Sequence, residues 1–416
     1  MRETRSIMLR CLAVSKAIAR RKPSAPLART ILFGASALAS VSVAAQEAES
    51  TPVLPAERSD VAVLSAAGPH RIFNFSPFGG GGVILFEGDD PAIKSLGNVP
   101  ATDNAAVALP RDASKIYLAE TYWSHGNRGE RSEILSVYDA QTLDLESEIP
   151  IPGHLHVVPK MSQMGLSDDD SLAYIYALVP SSSVHVVDLA KESLATTIEI
   201  PGCALVYPYG PRSFATVCGD GTIGSVTLDD DNGSSIRFSE RMFDPDNDPV
   251  LENSIVDRST GEGFFLTYTG KILSVPLGEG PISGETWSIQ EAAGMEAPGT
   301  GVQELAWRPG GNQLMALHRD TGRIYVLMHP GNHWTHKVAG TEIWVLDAHE
   351  HKLLRRIPLD TPATSVAVSQ GEDPLLYVFG FEGDGPGGLE VRDATTGEVL
   401  RGRGWPGFGN VFVPGN

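Results

Sequence analysis

Cysteine is scarce in this chain of 416 residues: Cys11, Cys203 and Cys218 are the only three. No group of Cys and His stands at the spacing of a structural zinc site. Basic residues are also in the minority, 32 Lys and Arg against 51 Asp and Glu. Long helical periodicity is missing from the body of the chain, so a helical bundle is excluded. No Gly-rich loop leads into a helix with Lys-Ser/Thr, and no Ser stands in a nucleophile-elbow context. What the chain has in quantity is turn residues, 44 Gly and 29 Pro, set between short apolar runs.

Those runs repeat. Leu135-Ser-Val-Tyr-Asp, Val184-His-Val-Val-Asp, Ile343-Trp-Val-Leu-Asp and Leu389-Glu-Val-Arg-Asp are clear copies of a β-rich run ending in an acidic turn. Weaker copies start at Val83, Ile223 and Ile272, the last two without the Asp. Successive starts lie 52, 49, 39, 49, 71 and 46 residues apart, read as position differences. A period of about 40–50 residues made of short strands is the mark of a β-propeller. Strand pairs with tight turns precede the copies, as in Ala105–Leu109, Pro110–Ser114 and Lys115–Ala119. The expectation is an all-β, seven-bladed β-propeller over residues 61–416, after a short tail at 46–60, with six or eight blades left open by the two copies without the Asp.

The first 45 residues read as a targeting segment. They hold eight basic residues and one acid, an apolar stretch from Ile31 to Val43, and a Val43-Ala44-Ala45 cleavage pattern. The apolar stretch is short for a membrane span, so a cleaved signal peptide and a periplasmic protein are expected. Arg20-Arg21 is a second, twin-arginine reading, set far upstream of the apolar stretch and followed by Pro23. Removing eight bases from 32 and one acid from 51 leaves 24 against 50, a mature net charge of −26. Such a charge argues against nucleic acid and anionic membranes as partners and permits a basic protein partner. Cys203 and Cys218, which remain after cleavage, flank the turn at Pro208-Tyr-Gly-Pro211. That placement suits a structural disulfide in an oxidising compartment, with a redox-active pair as the alternative.

Candidate chemical sites are thin. His154-Leu-His156 supplies two imidazoles, too few for a metal. His329, His333 and His336 share one insertion. Asp244-Pro-Asp-Asn-Asp248 alternates oxygen donors but lacks the Gly and distal Glu of a calcium loop. Phe78 followed by Gly79–Gly82, and Ser181–Ser183, lack the flanking context of a phosphate cradle or a nucleophile. No metal site and no catalytic set is expected in this chain. Tyr122 and Trp123, and likewise His336 and Lys337, are open between two readings: partner contact, or blade packing for the aromatics and a solvated loop for the other pair.

Several blocks in order carry a family resemblance: Arg128-Gly-Glu-Arg-Ser-Glu133, Pro211-Arg-Ser-Phe-Ala-Thr-Val-Cys-Gly-Asp-Gly221, Tyr268-Thr-Gly-Lys-Ile272, His318-Arg-Asp-Thr-Gly-Arg-Ile-Tyr-Val-Leu-Met-His-Pro330 and Thr335-His-Lys337 before Glu342–Asp347. From about Arg71 onward the chain resembles the large subunit of the quinoprotein amine dehydrogenases, the methylamine and aromatic amine dehydrogenases. The Met-His-Pro-Gly and Thr-His-Lys blocks look closer to the aromatic branch. The resemblance implies a seven-bladed propeller in a periplasmic α2β2 heterotetramer and a Cys203–Cys218 disulfide. It implies that the small subunit carries tryptophan tryptophylquinone, and that no cofactor sits in this chain. Amine is then oxidised to aldehyde, and electrons pass to a blue copper protein such as amicyanin or azurin. A Phe of the first blade lines the substrate channel in that family, and Phe78 is its nearest match, in a loop shorter than the family's. A secreted propeller acting as a binding or scaffolding module is the alternative from another class. A self-sufficient hydrolase or lactonase is a third reading, which needs an axial acid/base set or metal.

Overall fold

The computed structural model describes residues 63–77, 81–155, 157, 160–380, 388–404 and 409–415. Residues 1–45, read above as a targeting segment, the whole 46–60 tail, Phe78 and His156 lie outside the described residues.

Five four-stranded antiparallel sheets follow one another. The first joins Arg71–Ser76, Gly82–Glu87 and Ser95–Pro100 to the C-terminal strand Asn410–Phe412. The second is built from Ala106–Ala108, Lys115–Trp123, Arg131–Asp139 and Leu145–Pro150. The third comprises Met164–Leu166, Leu172–Ala177, Ser183–Asp188 and Ser193–Glu199, and the fourth Cys203–Tyr209, Ser213–Cys218, Ile223–Leu228 and Ser234–Phe238. The fifth contains Ile255–Val256, Glu262–Leu266, Lys271–Pro276 and Glu285–Ser288.

The remaining strands correct the expectation of seven separate blades. The propeller has five four-stranded blades, and the strands from Ala306 to Gly404 form one eight-stranded sheet. Its continuity rests on Lys352–Val368, a strand of 17 residues. The first part of that strand pairs with Gly340–Asp347, and its last part pairs with Leu375–Gly380. Pro358 ends the run paired opposite Glu342, and Pro362 stands just before Ala363, where the second pairing begins. Proline holds its own φ near the extended range and biases the residue before it the same way, so the link stays extended where a loop would have separated two sheets. The copies starting at Ile343 and Leu389 therefore share a sheet, whereas those at Val83, Leu135, Val184, Ile223 and Ile272 each occupy the third strand of a separate blade.

The acidic turn that ends these strands has a local cause. The Asp139 carboxylate accepts the N–H groups of Gln141 and Thr142 at 2.8 and 2.7 Å, and Asp347 and Asp393 do the same for the residues two and three positions on. These are side-chain turns that satisfy backbone donors as the chain reverses. The Ile223 copy has its aspartate after all, two residues later: Asp229 accepts from Asp231 and Gly233.

Apolar residues between neighbouring sheets form the core. Tyr174 packs on Phe214 with ring centroids 5.1 Å apart, joining the third blade to the fourth, and Tyr207 packs on Phe265 at 5.4 Å, joining the fourth to the fifth. The ring is closed by pairing Phe73, Asn74 and Phe75 with Phe412, Val411 and Asn410. Buried Gln313 reinforces that closure: its amide donates to the Val411 carbonyl at 2.9 Å and accepts the Val411 N–H at 2.7 Å.

Candidate partner-docking face

Strand registers define two ends of the molecule. In the second blade Ala106 pairs with Ala119, so the strand continuing through Trp123 overhangs the start of the inner strand. The hairpin tip between the second and third strands therefore projects from that end. The tips at 124–130, 178–182, 219–222, 267–270 and 332–339 occupy the same relative position in their own sheets, as do the flanks of the Phe78 loop, Ser76 and Gly82. Sequence-expected residues from distant segments thus share one face.

In the Phe78 loop, close packing explains two of the glycines. A Cβ on Gly81 would overlap the Ser76 carbonyl, and one on Gly82 the Val99 carbonyl. The second half of the Gly79–Gly82 run is therefore required by backbone approach.

At the second-blade tip, Tyr122 is 40 % exposed and donates its hydroxyl proton to the Glu120 carboxylate at 2.9 Å. Glu120 is fully buried and also accepts from Ser136 Oγ at 2.7 Å and the Thr102 N–H at 2.8 Å. Burial raises the Glu120 pKa, and these hydrogen bonds hold it back. Burial and the nearby Glu120 charge raise that of Tyr122. Trp123 lies under the Arg131 guanidinium, 5.7 Å from the ring centre, and Arg131 pairs with Glu133. Glu133 also accepts from Thr121 Oγ at 2.9 Å and contacts His154 Nδ1 at 3.2 Å. His154 is a buried packing residue in the loop between blades, not a strand-end histidine.

A second cluster joins the fifth blade to the eight-stranded sheet. His336 Nε2 lies 3.1 Å from the Tyr268 hydroxyl, and the two rings are 4.1 Å apart; Trp334 packs edge-on against Tyr268 at 5.4 Å. Lys337 and Lys160 both pair with the Glu252 carboxylate, Lys160 at 2.7 Å. The Glu252 carbonyl accepts from Tyr207 at 3.1 Å and Ser162 at 3.3 Å. Burial pushes the Glu252 pKa up, but Lys337 and Lys160 outweigh it and bring the group down to about 2. His336 is pushed down by its burial and by Lys337. Glu252, Lys160 and Trp334 were missed in the sequence. Trp334 stands one residue before the Thr335-His-Lys block, whereas Glu252 lies in a loop with no local pattern.

The remaining histidines of the insertion build its tip. His329 Nε2 meets Thr335 Oγ at 2.9 Å, and burial with the Arg308 charge lowers its pKa to about 4. His333 packs on Trp334 at 4.4 Å. Among the described residues no three His, Cys, Asp or Glu side chains are placed to hold a metal. Asp244 accepts from Asp246, Asn247 and Arg241 in an ordinary turn. The Cys203–Cys218 disulfide forms between paired positions of adjacent strands, at this same end.

Exposed apolar side chains gather on this face. Leu178 and Val179 stand on the third-blade tip, Val302 and Leu305 before the Ala306 strand, and Trp334 and Val338 on the tip beside it, with Val179 74 % and Leu305 72 % exposed. Buried Arg308 ties the last two segments together, donating to the Gly331 carbonyl at 3.2 Å and the Gly299 carbonyl at 3.0 Å. Most other exposed apolar residues, such as Leu145, Leu194 and Val399, lie on strands far from the axis. Tyr122–Trp123 and His336–Lys337 share the face, but no hydrogen bond or ring contact joins the pairs among the described residues.

Trp307 and Trp344 are in ring contact at 5.5 Å, with the Arg356 guanidinium 4.6 and 4.9 Å over their rings. Glu342 holds Arg356 at 2.6 and 2.9 Å and accepts from Trp344 Nε1 at 2.8 Å. The pair is engaged in a cation–π stack with Arg356.

The fold and this face define a class: a β-propeller with exposed apolar and charged hairpin tips at one end. The model of the family described as Methylamine dehydrogenase heavy chain (MADH) matches residues 82–407. The methylamine dehydrogenase heavy chain of Methylophilus methylotrophus is 28% identical over 385 residues, 90% of each chain. That of Methylorubrum extorquens is 28% identical over 390 residues, 91% of each chain. A periplasmic gluconolactonase of Pseudomonas aeruginosa superposes with a TM-score of 0.56 at 14% identity, over 82% of this chain and 98% of that one, a likeness of fold alone. The chain belongs to the methylamine dehydrogenase heavy chain family, and so to the large subunits of amine-oxidising oxidoreductases. Among the described residues no helix is long and apolar enough to cross a membrane.

Proposed function

We propose that this chain is the large subunit of a periplasmic amine dehydrogenase that oxidises primary amines to aldehyde and ammonia. Tryptophan tryptophylquinone belongs, in this reading, to a small subunit of an α2β2 heterotetramer, and a blue copper protein such as amicyanin or azurin takes the electrons. The large subunit contributes docking surface and part of the substrate channel. Tyr122, Trp123, His336 and Lys337 contact the partner, and Phe78 lines the channel. The observation that carries this reading is the gathering of exposed apolar side chains and the Lys160–Glu252–Lys337 clamp on one face. A contiguous exposed apolar surface marks an interaction site, and a charged rim suits a protein partner.

The test is expression of this chain with and without a small cysteine-rich chain encoded beside it. Alone, it is expected to be colourless and inactive toward amines. Together, the two are expected to copurify, absorb visible light and reduce an artificial acceptor when amine is added. Turnover by the chain alone refutes the reading. Purification from the native source without any small partner favours a binding or scaffolding module instead.

A further inference from the structure

The inner strands of all five blades and of the eight-stranded sheet surround an axial cavity of about 190 Å³. Its wall is largely aliphatic and aromatic, with Leu109, Leu166, Met315, Leu317, Ala367 and Phe412 among the lining residues. At the end opposite the hairpin tips the wall becomes cationic, where Arg258 and Arg319 line the cavity and Arg111 stands beside them.

The three guanidinium groups differ in their partners. Arg111 pairs with Asp168 and donates from Nε to the Asp168 carbonyl at 3.0 Å. Arg258 pairs with Asp170 at 3.1 Å. The Arg319 side chain has no ion pair or hydrogen bond to another described residue; its backbone N–H donates to Gln370 at 3.0 Å and its carbonyl accepts from Gly322 at 3.1 Å. Two carboxylates face it, Asp257 and Asp320, and neither forms an ion pair with it. Of the Asp257 carboxylate, Oδ1 accepts the Ser259 N–H at 3.0 Å and the Ser259 hydroxyl at 2.7 Å. Burial lowers the Arg319 pKa, Asp257 opposes that shift and Arg111 adds to it. A half-buried guanidinium with no hydrogen-bonded anion gains from one, and its planar fork matches a carboxylate with two parallel hydrogen bonds.

We propose that the axial cavity is a binding site for a small aryl or branched alkyl monocarboxylate, with the carboxylate on Arg319 and the hydrocarbon inside the channel. Size supports this class. An apolar cavity of about 150 Å³ holds benzene, so the axial cavity accommodates one ring with its carboxylate at the cationic end. Concave apolar walls with a few convergent polar groups are the usual make-up of a small-molecule site. The site does not depend on the proposed dehydrogenase function, and its mouth lies away from the docking face.

Calorimetric titration of the full mature chain with benzoate, benzyl alcohol and inorganic phosphate tests the proposal. Benzoate is expected to bind, and benzyl alcohol, which keeps the ring and loses the charge, to bind at least about tenfold more weakly. Phosphate, which keeps the charge and loses the ring, is expected to be weaker than benzoate. Arg319→Gln should lower benzoate affinity by about tenfold or more while leaving the ligand-free melting temperature unchanged, and Arg319→Lys should recover part of it. A crystal soaked in 4-bromobenzoate should show bromine within the axial cavity. No benzoate binding at about 10 mM, equal affinity for benzyl alcohol, phosphate binding as tight as benzoate, or bromine elsewhere would each overturn the proposal. The ligand comparisons use the unaltered chain, so they decide the matter even if the Arg319 variants fail to fold.

Discussion

At the scale of single residues, Glu252 has the widest reach on the docking face. Its carboxylate holds Lys160, which enters the third blade, and Lys337, on a tip of the eight-stranded sheet. The folded pKa of about 2 lies below the ordinary value of 4.5. A depressed carboxylate contributes stability that is present above its unfolded pKa and is lost as pH falls through the folded one. Glu252→Gln should therefore cost on the order of 2 kcal/mol near neutral pH, a figure discounted because Lys337 is half-exposed. Melting curves of both proteins between pH 7 and about pH 2 check this: the gap should be constant above about pH 5 and close toward the acid end. A gap that persists at low pH would mean that the clamp acts by packing and not by charge.

At the scale of elements, the closing strand Asn410–Phe412 is short, with three residues paired to Arg71–Ser76. Its other edge faces the eight-stranded sheet, where the Gln313 amide takes the place of a neighbouring strand for Val411. Ser365 adds a hydrogen bond to the Gly409 carbonyl at 2.9 Å. Gln313→Leu keeps most of the volume and leaves a buried N–H and C=O without partners, at a cost of about 1–3 kcal/mol each. Chemical denaturation of the variant should show a lower midpoint, and amide exchange at Val411 should rise more than at central strands such as Leu172–Ala177. An unchanged midpoint would place the closing energy in the Phe73–Phe412 packing instead.

At the scale of the whole molecule, the acidic chain presents an apolar face on which two lysines share one glutamate. Association there is expected to rest on a few apolar anchors inside a polar rim. Leu305→Asp and Trp334→Ala should each weaken assembly with the small subunit by more than about 1–2 kcal/mol, with little change in the melting temperature of this chain, because both side chains are exposed. Val399→Asp, on an outer strand, serves as the control. Sedimentation of mixed subunits checks the set, and an equal effect of all three substitutions would argue against a defined docking face.

The all-β propeller class, the strand repeats and the Asp-ended turns were legible in the sequence. They are local facts: alternation, turn chemistry and spacing act over a few residues. The repeat starting at Ile223 was under-read because its Asp229 stands two places later than in the clear copies. The division into sheets was not legible. Whether a segment ends a blade or continues into the next depends on pairing along both edges of Lys352–Val368, and the extended link through Pro358 and Pro362 keeps the last two repeats in one sheet. The family blocks named Tyr268 and His336 as separate motifs, and only the ring of sheets sets Tyr268 against His336 and Glu252 between two lysines. The open hydrogen-bonding fork of Arg319 was equally invisible, because it arises where turns from several sheets converge on the axis. A sequence encodes which residues reverse the chain and which alternate into a core. Charge neutralisation, exposed apolar surface and axial cavities are sums over segments far apart in the chain, so they exist only once the sheets have closed into a ring.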